Sequence, residues 1–217
     1  MNRPNSIFEE VLGTLPDRQR ELVEAAYALL EHGSGPVHRQ FLPALSDATS
    51  RERLEELLRR TGRTLVTVDQ LHFTSGFDDA VRIELTEMGW QPLSLADRAV
   101  LVLVLVYSVA IARSEEQIAA DSWESPCPTT LQDVSRDSKV PVGEVRAALG
   151  RLTACGLLRT VRGGDHDSGY VPGPQMSRLT PAAREQLQDQ LILAAAPDHP
   201  LAAAIRERRH NRVGGQR

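Results

Sequence analysis

One apolar run restricts this chain more than any other feature. Residues 94–116 read SLADRAVLVLVLVYSVAIARSEE, and the 14 residues between Arg98 and Arg113 carry no charge. A helix that crosses a bilayer needs ~20 predominantly apolar residues, so a run of this length argues against a span. The alternation VLVLVLV does not define a strand either, because both of its phases are apolar and nothing separates an inside from an outside. The flanks decide the matter. Ser94 and Asp97 have the spacing of a capping box, Pro92 lies just before them, and the polar RSEEQ closes a segment of helix length. The expectation is one helix over 95–116, buried nearly all round.

The helix must be housed in a core, and the composition supplies one. With 217 residues, 41% of them hydrophobic and 25% charged, the chain has the make-up of one large or two small globular domains. Charge is distributed unevenly. Residues 1–90 hold 10 basic and 15 acidic side chains, residues 91–200 hold 10 and 13, and residues 201–217 hold 5 and 1. An acidic body argues against a protein that coats nucleic acid, while leaving room for a local basic patch. Of the 25 basic residues 24 are Arg, a bias assigned to genome composition. Cys127 and Cys155 are 28 apart with no C-x-x-C, so neither a zinc ribbon nor a disulfide framework is expected. The N-terminus MNRPNSIFEEVLG lacks the apolar core of a secretory signal, and a cytoplasmic protein is expected.

Two stretches repeat one pattern. In the first, PDRQRELVEAAYALLEH sets Leu22, Ala26, Leu29 and Leu30 on one helical face. A short helical piece, VHRQFLPAL, is expected to stop near Pro43. Then TSRERLEELLRRTG follows, with Thr49 and Glu52 as capping box, Leu54, Leu57 and Leu58 as inner face and Gly62 as terminator. RTLVTV, a loop with TSGFDD, and AVRIELT, where Val81, Ile83 and Leu85 alternate with polar residues, read as a two-stranded hairpin. In the second stretch the 95–116 helix leads through SWESPCP to TTLQDVSRD and the turn SKVP. VGEVRAALGRLTACG then repeats Val142, Val145, Leu149 and Leu152 at helical spacing. LLRTVR, the tip GGDHDSG and YVPGPQMSRL form a second hairpin, whose prolines demote the return strand to an edge. A closing helix starts at Thr180 and Pro181. The expected fold is mainly α with small β-wings, as tandem winged helix-turn-helix domains over 1–90 and 91–196, with a basic flexible tail over 197–217.

No catalytic signature is present: no G-x-S-x-G, no phosphate-binding G-x-x-x-x-G-K, no H-E-x-x-H. The six histidines are scattered singly. Asp165, His166 and Asp167 in GGDHDSG are turn residues first and candidate metal or acid-base groups only second. A non-enzymatic protein with no cofactor and no metal is expected. Chemistry is instead sought in nucleic-acid contact. A recognition helix over 142–154 would present Arg146 and Arg151 to bases or phosphates, with Arg159 and Arg162 on the adjoining wing strand. Leu101, Val104 and Leu105 of the apolar helix are candidates for an oligomer or domain interface. The charge-alternating helix near residues 51–63 reads as a solvated, self-paired face.

In layout, RERLEELLRRTGRTLVTVD leading into AVRIELTEMGWQPLSLADRAVLVLVLVYS, then ALGRLTACGLLRTV, resembles the kite proteins, the tandem winged-helix partners of SMC-type ATPases. The likeness covers residues 16–194 and has no signature motif, so it transfers no functional residue. It implies a dimer-forming, nucleoid-associated subunit that grips a kleisin and joins an SMC-like ATPase acting on DNA. A winged-helix transcriptional regulator is the alternative.

Overall fold

The computed structural model describes residues 7–119, 122–162, 169–195, 198 and 200–214. It is mainly helical with small antiparallel sheets, and it divides into two units. The first runs to Trp90 and includes Ser177–Thr180; the second comprises Gln91–Met176 and the residues from Pro181 onward.

In the first unit, α1 (Ile7–Leu12) precedes α2 (Asp17–His32), a two-residue strand β1 (Val37–His38), two 3-10 turns (Arg39–Phe41 and Pro43–Ser46) and α3 (Ala48–Arg60). Val23, Ala26 and Leu30 of α2 meet Leu54, Leu57 and Leu58 of α3 in a dry core that also takes Leu12 and Leu42. The cap of α3 lies earlier than the Thr49–Glu52 box expected. Asp47 Oδ2 accepts from the Ser50 amide at 2.8 Å and the Ser50 hydroxyl at 2.7 Å. At the other end Gly62 takes φ +72°, the left-handed turn that closes a helix most cheaply with glycine.

The first hairpin is not the one expected. β2 (Arg63–Thr67) pairs antiparallel with β3 (His72–Phe77), and β3 also pairs with β1, giving the order β1-β3-β2. The segment AVRIELT is instead helical, within α4 (Asp79–Glu87). Asp78 starts it by accepting from the Ala80 amide at 2.8 Å. Val81 and Leu85, four apart, are half-buried while Ile83 is exposed, so a sequence that alternates on paper follows the helical period. The loop expected around TSGFDD is instead part of β3: Thr74, Ser75 and Gly76 are small or polar, yet all three are buried.

Ser75 and Gly76 are met by a segment from late in the chain. The Arg178 guanidinium donates to Ser75 Oγ at 2.6 Å, Ser75 O at 3.3 Å, Glu31 O at 3.0 Å and Gly33 O at 3.0 Å. Thr180 Oγ1 donates to Asp79 Oδ1 at 2.8 Å. The Arg178 carbonyl packs so closely on Gly76 that a Cβ there would lie 2.3 Å from it.

The second unit opens with α5 (Leu95–Leu105), which widens into a π-helical stretch (Val106–Ile111) and ends in α6 (Ala112–Ser114). The expected Ser94–Asp97 capping box is present. Together these segments make one helix of 20 residues, long and apolar enough to cross a membrane by length and composition. Length therefore does not exclude a span, contrary to expectation. The helix packs as a core element: Val100, Val104, Leu105, Ser108, Val109 and Ala112 are fully or almost fully buried, and Val100 and Val104 pack with residues of α8. Nor is it enclosed all round, since Leu101, Val102, Leu103 and Val106 are half-buried and Ile111 is exposed. The Val104 carbonyl accepts from the hydroxyls of Ser108 at 2.6 Å and Thr129 at 3.4 Å, which gives the one serine in the run a partner.

α7 (Leu131–Asp137) is opened by a Thr130–Asp133 capping box, and α8 (Val142–Ala154) follows after Pro141. Val145, Ala148, Leu149 and Leu152 form the buried face of α8; Val142, expected among them, is exposed. Gly156, at φ +75°, turns the chain into β4 (Leu158–Val161), which pairs with β5 (Gly169–Pro172). Thr129 bridges to Tyr170, setting an extended residue beside β5. After a 3-10 turn (Pro174–Arg178) come α9 (Pro181–Ala195) and α10 (Pro200–Gly214).

α10 replaces most of the flexible tail expected over 197–217. Pro200 occupies the first helical position, Ala202 and Ile205 are fully buried three residues apart, and Arg208 reaches Glu185 at 3.3 Å and Asp189 at 3.2 Å on α9. Helical spacing thus gave the end of the chain an inner face that its net charge concealed.

Candidate nucleic-acid interface

The surface built by α8, the turn before it and β4 carries most of the basic residues singled out from sequence. α8 packs against α5, α7 and β4, so its buried face is fixed and its outward face follows from the helical period. Val142, Gly143, Glu144, Arg146, Ala147, Gly150, Arg151 and Ala154 are exposed along it.

Arg151 does not stand free. Its Nη2 lies 2.8 Å from Asp97 Oδ1 and 2.7 Å from Glu144 Oε1, and its Nε is 3.0 Å from the same Asp97 oxygen. Asp97, whose side chain is only 8% exposed, is therefore shared between the cap of α5 and α8. Hydrogen bonding from Arg151 holds the Asp97 carboxyl below its ordinary value, with Ser94 adding to the effect and burial opposing it. The pair pushes Arg151 the other way, keeping it charged, through hydrogen bonds to Asp97 first and Glu144 second. A cation already matched by two carboxylates is a poor reader of guanine or phosphate.

Arg146, Arg159 and Arg162 differ. All three are exposed and none makes an ion pair among the described residues. Lys139, two residues before Pro141, is a fourth exposed cation of this kind. Sequence reading passed over it, although its place in the turn leading into α8 was a usable signal. The wing-tip residues Asp165, His166 and Asp167 lie outside the described residues. Between the cations the helix backbone is uncovered at two glycines: a Cβ built on Gly143 or on Gly150 would touch nothing within 4 Å.

The three apolar candidates separate. Val104 and Leu105 are wholly buried within the chain, which leaves them no surface for a second copy, while Leu101 is half-buried against the second-unit core. On α3, three arginines are matched within the helix: Arg51 with Glu55 at 2.8 Å, Arg59 with Glu56 at 2.6 Å and Arg60 with Glu56 at 3.1 Å. Among the described residues no group of three or more His, Cys, Asp or Glu side chains is placed to hold a metal ion.

No protein-family model matches the chain, and no curated protein is significantly similar to it.

Proposed function

We propose that this is a non-enzymatic, DNA-associated tandem winged-helix protein that acts as an accessory subunit of an SMC-type complex, in the manner of the kite proteins. The observation that carries the reading is the repeated order of elements. The first unit runs helix, short strand, 3-10 turns, helix and hairpin, with sheet order β1-β3-β2. The second runs long helix, bridging residue Thr129, α7, α8 and hairpin, with Thr129 beside β5. This order supports the winged-helix reading, in which an extended segment between the first two helices joins the far side of the wing. In this reading α8 serves as the recognition helix, with Lys139, Arg146, Arg159 and Arg162 around it as phosphate contacts.

In this reading the chain is cytoplasmic and nucleoid-associated, self-associates as a dimer, and meets a kleisin and an SMC-like ATPase. A transcriptional regulator is the second reading. It is disfavoured by the matching of Arg151, which removes one of the two long cationic side chains from the outward face of α8. Affinity purification of the tagged chain from its own cells tests the choice. Recovery of a kleisin-like protein together with a long coiled-coil ATPase is the expected result. A DNA-bound homodimer recovered without either would favour the regulator.

A further inference from the structure

We infer that the sheet of the first unit carries a site for one borderline divalent metal ion, of the zinc, nickel or copper class, ligated by His38 and His72. The site does not depend on the function proposed for the second unit. Among the described residues no three protein ligands gather, so the ion keeps water at its remaining positions.

Strand register sets the pair. His38 and His72 stand opposite each other where β1 meets β3. The His72 carbonyl is directed to the other side, accepting from the Val68 amide at 2.9 Å, and the rung between β1 and the hairpin is closed one residue on, by the Arg39 amide to Leu71 O at 2.7 Å. His38 and His72 are therefore a non-hydrogen-bonded pair, the kind that brings cross-strand side chains closest. Their ring centroids are 5.1 Å apart, with the planes at 78°. Two imidazoles on one ion, each through a bond of about 2.1 Å, have centroids about 4.5–5.3 Å apart at square or tetrahedral angles. The observed spacing already meets that requirement.

The ring nitrogens are prepared unequally. Asp69 Oδ1 accepts from the amides of Leu71 and His72, both at 2.8 Å, which fixes the carboxylate in the hairpin turn. Asp69 Oδ2 lies 2.9 Å from His72 Nδ1. An ionised carboxylate only accepts, so the ring proton sits on Nδ1 and the Nε2 lone pair is left for an ion. A carboxylate behind a histidine is the arrangement that orients ligating imidazoles in metal sites. His38 Nδ1 accepts from the exposed Gln40 amide at 3.2 Å. When His38 ligates through Nε2, its proton moves to Nδ1 and the Gln40 amide turns to water. The ion then clips β1, only two residues long, to β3.

Calorimetric titration of the full-length protein with Zn²⁺ in a non-chelating buffer tests the site. One Zn²⁺ should bind per chain, and Cu²⁺ should bind more tightly. His38→Ala and His72→Ala should each weaken Zn²⁺ binding by at least about tenfold, Asp69→Asn should weaken it by about 10–100-fold, and His32→Ala should leave it unchanged. In the unsubstituted protein, where folding of a variant plays no part, Zn²⁺ should shift the ring resonances of His38 and His72 together with the Gln40 amide. The His72 ring nitrogen resonances should report a protonated Nδ1, and that preference should be lost in Asp69→Asn. Affinity unchanged in either His38→Ala or His72→Ala, shifts confined to other histidines, or no binding at about 1 mM Zn²⁺ overturns the site. Unchanged affinity and an unchanged His72 tautomer in Asp69→Asn overturn the positioning role of Asp69.

Discussion

Asp97 shows how much one side chain can be asked to do. Its carboxylate closes the capping box with Ser94 and also receives the Arg151 guanidinium from 54 residues away. Because its folded-state titration lies below the ordinary carboxylate value, its contribution is full above that value and is lost as pH falls through the folded one. Asp97→Asn should therefore cost stability at pH 7, and the deficit should shrink below about pH 4. Urea unfolding of both proteins at pH 7, 5 and 3 checks this; a deficit constant with pH would mean that charge plays no part. The capping half of this role was legible, since Ser94 and Asp97 are three apart. The pairing was not, because no local pattern tells an outward arginine which distant carboxylate will meet it.

Gly76 teaches the same lesson in the backbone. Nothing in HFTSGF announces a buried strand, and what requires glycine there is the Arg178 carbonyl, 102 positions later in the chain. Gly76→Ala should destabilise the protein by about 1–3 kcal/mol through forced displacement of β3 or of residue 178, measurable by urea unfolding at neutral pH. Arg178→Ala should cost about 2–4 kcal/mol, because Ser75 Oγ and three buried or half-buried carbonyls lose a charged donor.

At the scale of elements, helices with strong local signals were readable and those defined by tertiary partners were not. α2, α3 and α8 follow from apolar spacing, α5 from its capping box and polar flanks, and α9 from Pro181 at its first position. α4 does not, since Val81, Ile83 and Leu85 fit period two as well as the pair 81 and 85 fits a helical turn, and only the Asp78 cap separates the two. α10 was obscured by its arginines, although Ala202 and Ile205 carried the inner face. For the long apolar helix, the expected test is Val104→Asp. A carboxylate at that fully buried position should cost about 4 kcal/mol or more, seen as loss of cooperative thermal unfolding. The same change at half-buried Val102 should cost markedly less. Equal effects would mean that the helix is enclosed on both flanks.

For the whole molecule, the decisive feature is that chain order and structural membership disagree. Residues 177–180 belong to the first unit although the residues on either side of them belong to the second. A chain ending at residue 176 would keep the whole contiguous part of the first unit, yet Ser75, Asp79 and the end of α2 would lose their hydrogen bonds to Arg178 and Thr180. Its first unit should show reduced hydrogen-exchange protection in β3 and α4 compared with the full-length protein. Protection equal to that of the intact chain would show Arg178 and Thr180 to be dispensable.

The same disagreement sets a clock during synthesis. Domains ordinarily fold in the order in which they leave the ribosome, at about 5–20 residues per second. Here the N-terminal unit cannot be completed when residue 90 emerges. It must stay unfinished, with the site for Arg178 open, for roughly 5–20 s more, until the residues up to 180 have been made. Throughout that interval Ser75 and Gly76 lack the Arg178 contacts that later cover them, and the last piece of the first unit to arrive is made in the middle of the second.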